Sequence, residues 1–205
     1  MKVETTYEAA GERFFNACVN LKIVPDAPDG YILAFATGDP REDIELVMAA
    51  YAAVKPRQVL AIAGRYPDPA ALRALAARYD LLGQLRYLGY VPEDILPSLF
   101  TTATVFVEMT RYEGFGLQIV EAMAAGTPVV VSDLPVLREV AADAALYVQS
   151  QDVEQLATSL RSLLADAGLQ AKLSARARTR ARAFSWRRCA EQTLKVYREV
   201  LDEWS

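Results

Sequence analysis

Short apolar runs alternate with helical patterns through the middle of the chain. Between these runs, apolar residues recur at helical spacing, and Asp or Pro stands near several of the helix starts. Runs that are apolar on both faces are typical of a parallel sheet covered by helices. The predicted fold is therefore α/β, with a doubly wound, six-stranded parallel sheet of Rossmann-like type and a ligand crevice at the strand carboxyl ends. The strands are expected at 31–37, 58–64, 84–89, 104–109, 127–132 and 144–148.

The pattern after residue 149 is helical only, with three segments at 152–167, 169–184 and 185–204. We therefore expect one domain over residues 31–205 that includes extra C-terminal helices. An N-terminal helix and a linker rich in Pro, Asp and Gly are expected over residues 1–30. Phe184 and Trp186 are expected to anchor the last helices by packing.

Composition excludes several classes of function. The 205 residues are 53% hydrophobic, enough for the core of one sizeable domain. Histidine is absent, which removes the commonest general base and the commonest metal ligand. Cys18 and Cys189 are far apart and are expected to be ordinary thiols of a reducing compartment. With no apolar run of membrane-spanning length and no signal-peptide core, the sequence predicts a cytoplasmic protein without a membrane span.

Charge argues against a nucleic-acid partner. The chain has 22 basic and 26 acidic residues, a formal net charge of −4, so any anion site must be local. The basic run at 172–188 is interpreted as a solvated helix face.

Residues 111–133, RYEGFGLQIVEAMAAGTPVVVSD, place a glycine-rich turn between two glutamates at the end of the fourth predicted strand. The N-terminus of the next helix offers backbone N–H groups to an anion, and Gly114 and Gly116 let a phosphate approach closely. Glu113 and Glu121 would repel phosphate, so they suit vicinal hydroxyl groups on either side of it. A nucleotide-sugar has that layout.

Simpler interpretations stay open for single residues. Glu121 could be an exposed helix carboxylate, Arg41 could pair with its own helix start, and Tyr90 could pack at a strand end. The GxG of Gly114 and Gly116 also occurs in nicotinamide-dependent oxidoreductases, a remote alternative because Ile119 replaces the third glycine.

Several motifs in order carry a resemblance to a known family. EGFGLQIVE with its Glu-x7-Glu spacing, LRYLGYVPEDILPSLFTTATVFV and FSWRRCAEQTLKVYREVL lie within residues 31–203. This stretch resembles the C-terminal, donor-binding domain of retaining glycosyltransferases of glycosyltransferase family four, which have a two-domain B-type fold.

The resemblance implies a role for each site residue. Glu113, the catalytic candidate, would approach the donor hexose, and Glu121 would hold the ribose. Tyr90 and Val91 would contact the base. The backbone amides offered to the sugar and diphosphate would be those of Gly114, Phe115, Gly116 and Leu117.

The sequence also departs from the family pattern at the first strand end. Ala36 and Thr37 stand about where glycine and arginine are usual, and Glu42 stands where a phosphate-binding lysine is usual. Glu42 would repel the donor if it faces the site. Arg41 and Arg65 are the cations expected to meet the diphosphate, without a metal or other cofactor, since there is no Asp-x-Asp sequence.

The chain has room for only one of the two domains of such an enzyme. We therefore expect a hexosyltransferase half that binds a nucleotide-sugar donor, is inactive alone, and needs an N-terminal acceptor-binding domain or partner chain. The alternative is a non-catalytic nucleotide-sugar-binding subunit or remnant.

Overall fold

The six predicted strands form one parallel sheet. The computed structural model describes residues 8–17 and 23–203, so Cys18 lies outside the described residues. The strands are β1 (Tyr31–Phe35), β2 (Val59–Ala63), β3 (Leu85–Gly89), β4 (Val105–Glu108), β5 (Val129–Ser132) and β6 (Ala145–Val148). Their order is β3-β2-β1-β4-β5-β6, and every pairing is parallel. The predicted doubly wound Rossmann-like fold is confirmed.

Helices cover both faces of this sheet. Four of them begin after an aspartate whose carboxylate accepts a hydrogen bond from a first-turn N–H group, which explains the Asp residues in the sequence pattern. The capping residues are Asp43, Asp68, Asp152 and Asp166. The helices are α1 (Glu12–Phe15), α2 (Ile44–Val54), α3 (Pro69–Arg78), α4 (Leu96–Thr102), α5 (Leu117–Ala125), α6 (Pro135–Ala141), α7 (Val153–Ala165), α8 (Ala167–Ala181) and α9 (Trp186–Glu203).

The alternation of side chains along the strands divides the core in two. Leu33 and Phe106 are buried on one face with residues of α4, α5 and α6, whereas Ile32 and Val107 are buried on the other with residues of α2, α3 and α7. Phe14 of α1 is buried in the first of these clusters. The division of the chain at residue 30 stays a prediction.

Arginines of α8 cap neighbouring helices. Arg178 Nη2 donates to the carbonyl of Ala125, the last residue of α5, at 2.7 Å. Arg180 donates to the carbonyls of Glu139 and Val140 near the end of α6, at 2.6 and 2.8 Å. A cation at a helix C-terminus satisfies free carbonyls and complements the helix dipole. Arg178 is exposed and Arg180 is half-buried, so this predicted solvated face also caps two helices.

The last helix, α9, carries exposed apolar side chains. Phe184, just before it, is buried and lies edge-on to Phe115, with ring centroids 5.7 Å apart. Trp186 is 50% exposed, so it does not anchor the helix as predicted. Tyr197 and Leu201 of the same helix are 63% and 70% exposed. Among the described residues, no helix combines the length and apolar character needed to cross a membrane.

Candidate functional site

A cavity of about 270 Å³ lies where the strand order reverses. β1 and β4 are neighbours at the centre of the sheet, and their following helices, α2 and α5, cover opposite faces. Such a switch point leaves a crevice at the strand carboxyl ends, where ligands bind in open α/β sheets. The polar side chains that line this cavity are Thr37, Asp39, Arg41, Glu42, Glu108, Thr110, Glu113 and Gln118.

Two loops that leave β1 and β4 are joined by backbone hydrogen bonds at the rim. The N–H group of Asp43 donates to the carbonyl of Met109 at 2.8 Å, and that of Arg111 donates to the carbonyl of Arg41 at 2.9 Å. Thr110 N–H donates to the Ser132 hydroxyl of β5 at 2.8 Å. These bonds fix the position of the backbone that carries Arg41 and the residues beside it.

The N-terminus of α5 opens into the cavity. Gly116, its N-cap residue, has φ 89°, a conformation that glycine adopts without strain. A Cβ atom here would lie 3.0 Å from both Ile119 Cδ1 and Leu137 Cδ2. Glycine brings no capping side chain, and Gly116, Leu117 and Gln118 line the cavity. The first-turn N–H groups and the positive end of the helix dipole therefore suit an anionic ligand.

Glu113 is held by the amides that precede this helix. Its Oε1 atom accepts hydrogen bonds from the N–H groups of Gly114 at 2.8 Å and Phe115 at 3.2 Å. The family resemblance implied that these two amides contact the ligand, which stays a prediction; in the structure they hold the Glu113 carboxylate, which lines the cavity. The amides that remain for an anion are those of Gly116, Leu117 and Gln118, since the N–H groups of Ile119 and Val120 donate to the Gly116 carbonyl.

Arg41 pairs with a neighbouring carboxylate. Its Nη2 and Nε atoms lie 2.7 and 3.1 Å from Asp39 Oδ2, and Nε lies 3.0 Å from Oδ1. These hydrogen bonds lower the pKa of Asp39 to about 2. The open alternative that Arg41 forms a local ion pair matches this geometry. Its contact with a phosphate stays a prediction.

Glu42 lines the cavity, which is the position from which it was expected to repel the donor. Its Oε2 atom accepts from the Thr37 N–H group at 2.7 Å, and its Oε1 atom accepts from the Thr37 hydroxyl at 2.8 Å. An acid therefore lines the same cavity as the N-terminus of α5.

Glu108 lines the cavity but was not assigned to the site from the sequence. It ends β4 and lines the cavity beside Glu113 and Glu42. Burial, followed by the charges of Glu113 and Glu42, raises its pKa to about 8. The available signal was a lone carboxylate at the end of the apolar run TVFVEM, where a switch-point strand ends.

Arg65 and Tyr90 follow β2 and β3 at the same end of the sheet, outside the cavity lining. The Arg65 guanidinium carbon lies 4.3 Å from the centroid of the Tyr90 ring, a cation–π contact. Tyr90 is 57% exposed, so its ring and the Arg65 guanidinium group that stacks on it are accessible to a ligand. Val91 is partly buried against the first apolar cluster.

Glu121 lies one turn into α5 and also outside the cavity lining. Burial raises its pKa to about 7; the charge of Arg13 acts in the opposite direction, and the charge of Glu93 adds to the rise. The two glutamates of the motif therefore have different surroundings: Glu113 is in the cavity, and Glu121 is near α1 and the loop after β3.

Comparisons with known proteins agree on a family. Residues 22–180 match the family described as glycosyl transferases group 1. The chain is 37% identical over 174 residues to O-antigen chain mannosyltransferase B of Escherichia coli, covering 82% of this chain and 46% of that protein. It is 36% identical over 197 residues to phosphatidyl-myo-inositol mannosyltransferase of Mycolicibacterium smegmatis, covering 89% and 50%.

A solved structure extends this agreement to the fold. Sucrose-phosphate synthase from Thermosynechococcus elongatus superposes with a TM-score of 0.78 at 28% identity, over 96% of this chain and 50% of that one. The chain thus spans about half the length of each protein named here. Its sequence and fold together show that it belongs to the group 1 glycosyltransferases.

Proposed function

We propose that this chain is the donor-binding half of a retaining glycosyltransferase of family four, which transfers a hexose from a nucleotide-sugar to an acceptor. The observation that carries the proposal is the cavity at the switch point. There, the uncapped N-terminus of α5 and the carboxylate of Glu113 lie side by side. One attracts a diphosphate and the other accepts hydrogen bonds from sugar hydroxyl groups.

The proposed donor crosses the N-terminus of α5. Its hexose contacts Glu113, and its diphosphate meets the amides of Gly116 and Leu117. Arg41 lines the same cavity and supplies the nearby positive charge once its guanidinium is shared between Asp39 and phosphate. The amides of Gly114 and Phe115 act indirectly, since they fix the Glu113 carboxylate.

The nucleoside end is assigned to the surface beyond the cavity. Glu121 would accept hydrogen bonds from the ribose hydroxyl groups in its ionised form. Tyr90 and Val91 would contact the base, and Arg65, stacked on Tyr90, would approach the diphosphate. This assignment uses the same end of β2 and β3 that the Rossmann-like fold offers to nucleotides.

The acceptor is assigned to a second domain. The chain spans about half the length of its relatives, and α9 exposes the apolar side chains of Tyr197 and Leu201. Large exposed apolar surface marks an interaction site. We propose that an N-terminal acceptor-binding domain or partner chain completes the reaction cleft, and that the described half alone does not turn over.

A panel of ligands tests the function. Two of the named relatives are mannosyltransferases, so GDP-mannose is tried first, beside UDP-glucose, ADP-glucose and NAD. A ligand that binds only the folded state raises its melting temperature. Stabilisation by one nucleotide-sugar supports the proposal, and stabilisation by NAD alone would favour an oxidoreductase. Turnover that appears only after the N-terminal half is added separates a transferase from a non-catalytic subunit.

A further inference from the structure

The carboxyl group of Glu108 has hydrogen-bonding capacity that the protein does not use. Within residues 8–17 and 23–203, its Oε2 atom is buried and has no hydrogen-bond partner. A buried polar atom without a partner is costly, and such atoms are rare in folded proteins. Glu108 nevertheless ends β4 in the lining of the proposed donor cavity. The residue as a whole is only half-buried, so its side chain also borders the open part of the cavity.

The charges around this group favour its neutral form. Glu42 faces it from the loop between β1 and α2, and Glu113 faces it from the loop between β4 and α5; both disfavour its ionisation. Asp39 and Arg41 also line the cavity and largely cancel each other as an ion pair. Burial raises the pKa of Glu108 to about 8, so the carboxyl group keeps its proton at neutral pH.

The neighbouring carboxylates already have partners. Glu42 is bonded through both oxygens to Thr37, and Oε1 of Glu113 is bonded to the amides that follow it. A protonated Glu108 differs from both because it has an O–H group to donate. An anionic phosphate oxygen is a stronger acceptor for that group than a neutral sugar hydroxyl.

We infer that Glu108 binds the donor as a neutral carboxylic acid and donates a hydrogen bond to an oxygen of the diphosphate. The inference rests on the proposed function, since it requires a nucleotide-sugar in this cavity. Glu108 is then a positioning residue: it adds a hydrogen-bond donor opposite the α5 amides, and its proton removes one negative charge from an acidic cavity. Bound diphosphate, in turn, raises the pKa of Glu108 further.

The test is the pH dependence of nucleotide-sugar affinity. Calorimetry with GDP-mannose, UDP-glucose and ADP-glucose is run between about pH 7.5 and about pH 9.5, where Glu121 is already mostly ionised. An intact nucleotide-sugar has no phosphate group that titrates in this window, and the loss of a ring proton from guanine or uracil near its upper end affects the wild type and Glu108→Gln alike. If only the neutral form binds, wild-type affinity falls by about ten- to thirtyfold across it. Glu108→Gln keeps an N–H donor and cannot ionise, so its affinity stays within about threefold.

Two further variants test whether the pH dependence of affinity comes from Glu108. Glu154→Gln removes an exposed carboxylate of α7 and should keep the wild-type slope. At about pH 7.5, Glu108→Ala should weaken the nucleoside diphosphate and the full donor by the same factor, roughly tenfold. Far-UV circular dichroism of each variant checks that the fold is retained. If Glu108→Ala has lost its fold, Glu108→Gln carries the test alone.

The outcomes separate the two proposals. Binding without a slope in the wild type, or with an equal slope in Glu108→Gln, overturns the role of Glu108 and leaves the donor site in place. A loss in Glu108→Ala that is confined to the full donor also overturns it, because the contact would then be with the hexose. If none of the three nucleotide-sugars binds at all, the proposed function fails and the inference fails with it.

Discussion

Both carboxylate oxygens of Glu42 are bonded to Thr37, one to its backbone nitrogen at 2.7 Å and one to its hydroxyl at 2.8 Å. The contact holds a negative charge in the lining of the cavity proposed for a diphosphate. The same contact links the residues that follow β1 to those that precede α2. Glu42 therefore stabilises this loop through its two hydrogen bonds, and its negative charge repels an anionic ligand.

Removing that charge should strengthen donor binding. Glu42→Gln keeps a carbonyl oxygen for the Thr37 N–H group and loses the charge, worth on the order of 1 kcal/mol across a partly solvated cavity. We expect the dissociation constant for the nucleotide-sugar to fall by about three- to tenfold. Calorimetry on this variant, with Glu154→Gln as the remote control, measures the change. Unaltered or weaker binding would show that Glu42 does not act on the diphosphate.

Substitutions of Glu113 and Glu121 should affect the affinities for the nucleoside diphosphate and for the full donor differently. Glu121→Ala should weaken the nucleoside diphosphate and the full donor by similar factors, because both contain the ribose. Glu113→Ala should weaken the full donor only. A hydrogen bond to a charged acceptor is worth about 1.5 to 3 kcal/mol, so each loss should be roughly ten- to a hundredfold.

Calorimetry with both ligands on both variants decides this assignment. Glu113→Gln should also weaken the full donor, because the charged acceptor is lost, while its side-chain oxygen can still accept from the amides of Gly114 and Phe115 and so keeps the turn in place. An equal loss of nucleoside diphosphate binding in Glu113→Ala would mean that this carboxylate serves the phosphate end of the site.

Donor affinity should also depend on the ionisation of Glu121. Burial raises its pKa to about 7, and the ribose hydroxyl groups bind best to the carboxylate. Affinity should therefore fall as pH decreases through that value, by about five- to tenfold from about pH 7.5 to about pH 6. In Glu121→Gln the same titration should be nearly flat. A wild-type slope of the opposite sign would contradict the ribose role.

Gly116 should be intolerant of a side chain. Alanine would have to adopt φ 89° and place its Cβ atom 3.0 Å from Ile119 Cδ1 and Leu137 Cδ2. Such strain costs about 1 to 3 kcal/mol, so Gly116→Ala should lower the melting temperature by about 3 to 10 °C. Gly83→Ala, whose new Cβ atom meets nothing within 4 Å, should shift it by about 2 °C at most. Equal melting temperatures for the two variants would refute the argument.

The fold could be predicted because its signals are local and agree with one another. Runs such as 127–132 are apolar on both faces, and Asp43 and Asp152 stand at helix starts as capping requires. The cavity position followed from Glu113 and Gly116 flanking the turn after the fourth strand. Periodicity and capping therefore predict the architecture, and the glycine-rich turn predicts where the cavity lies.

The remaining features depend on contacts between distant parts of the chain. No local pattern indicates that Arg178 would cap α5, or that Trp186 would remain exposed, because both follow from how the C-terminal helices pack. The protonation state of Glu108 depends on its burial and on the charge of Glu42, which is far away in sequence. Electrostatics of this kind requires the three-dimensional arrangement.

The proposed function requires a nucleotide-sugar to bind across the N-terminus of α5. The most direct measurement is the melting temperature of the wild type and of the Glu113→Gln/Glu121→Gln double variant, each with and without saturating GDP-mannose, UDP-glucose or ADP-glucose. A ligand at about a hundred times its dissociation constant adds about 2.7 kcal/mol, a rise of roughly 5 to 10 °C for a chain of this size. We predict that rise for one nucleotide-sugar on the wild type and a shift of less than about 2 °C on the double variant. No rise with any of the three, or an equal rise in the double variant, would contradict the account.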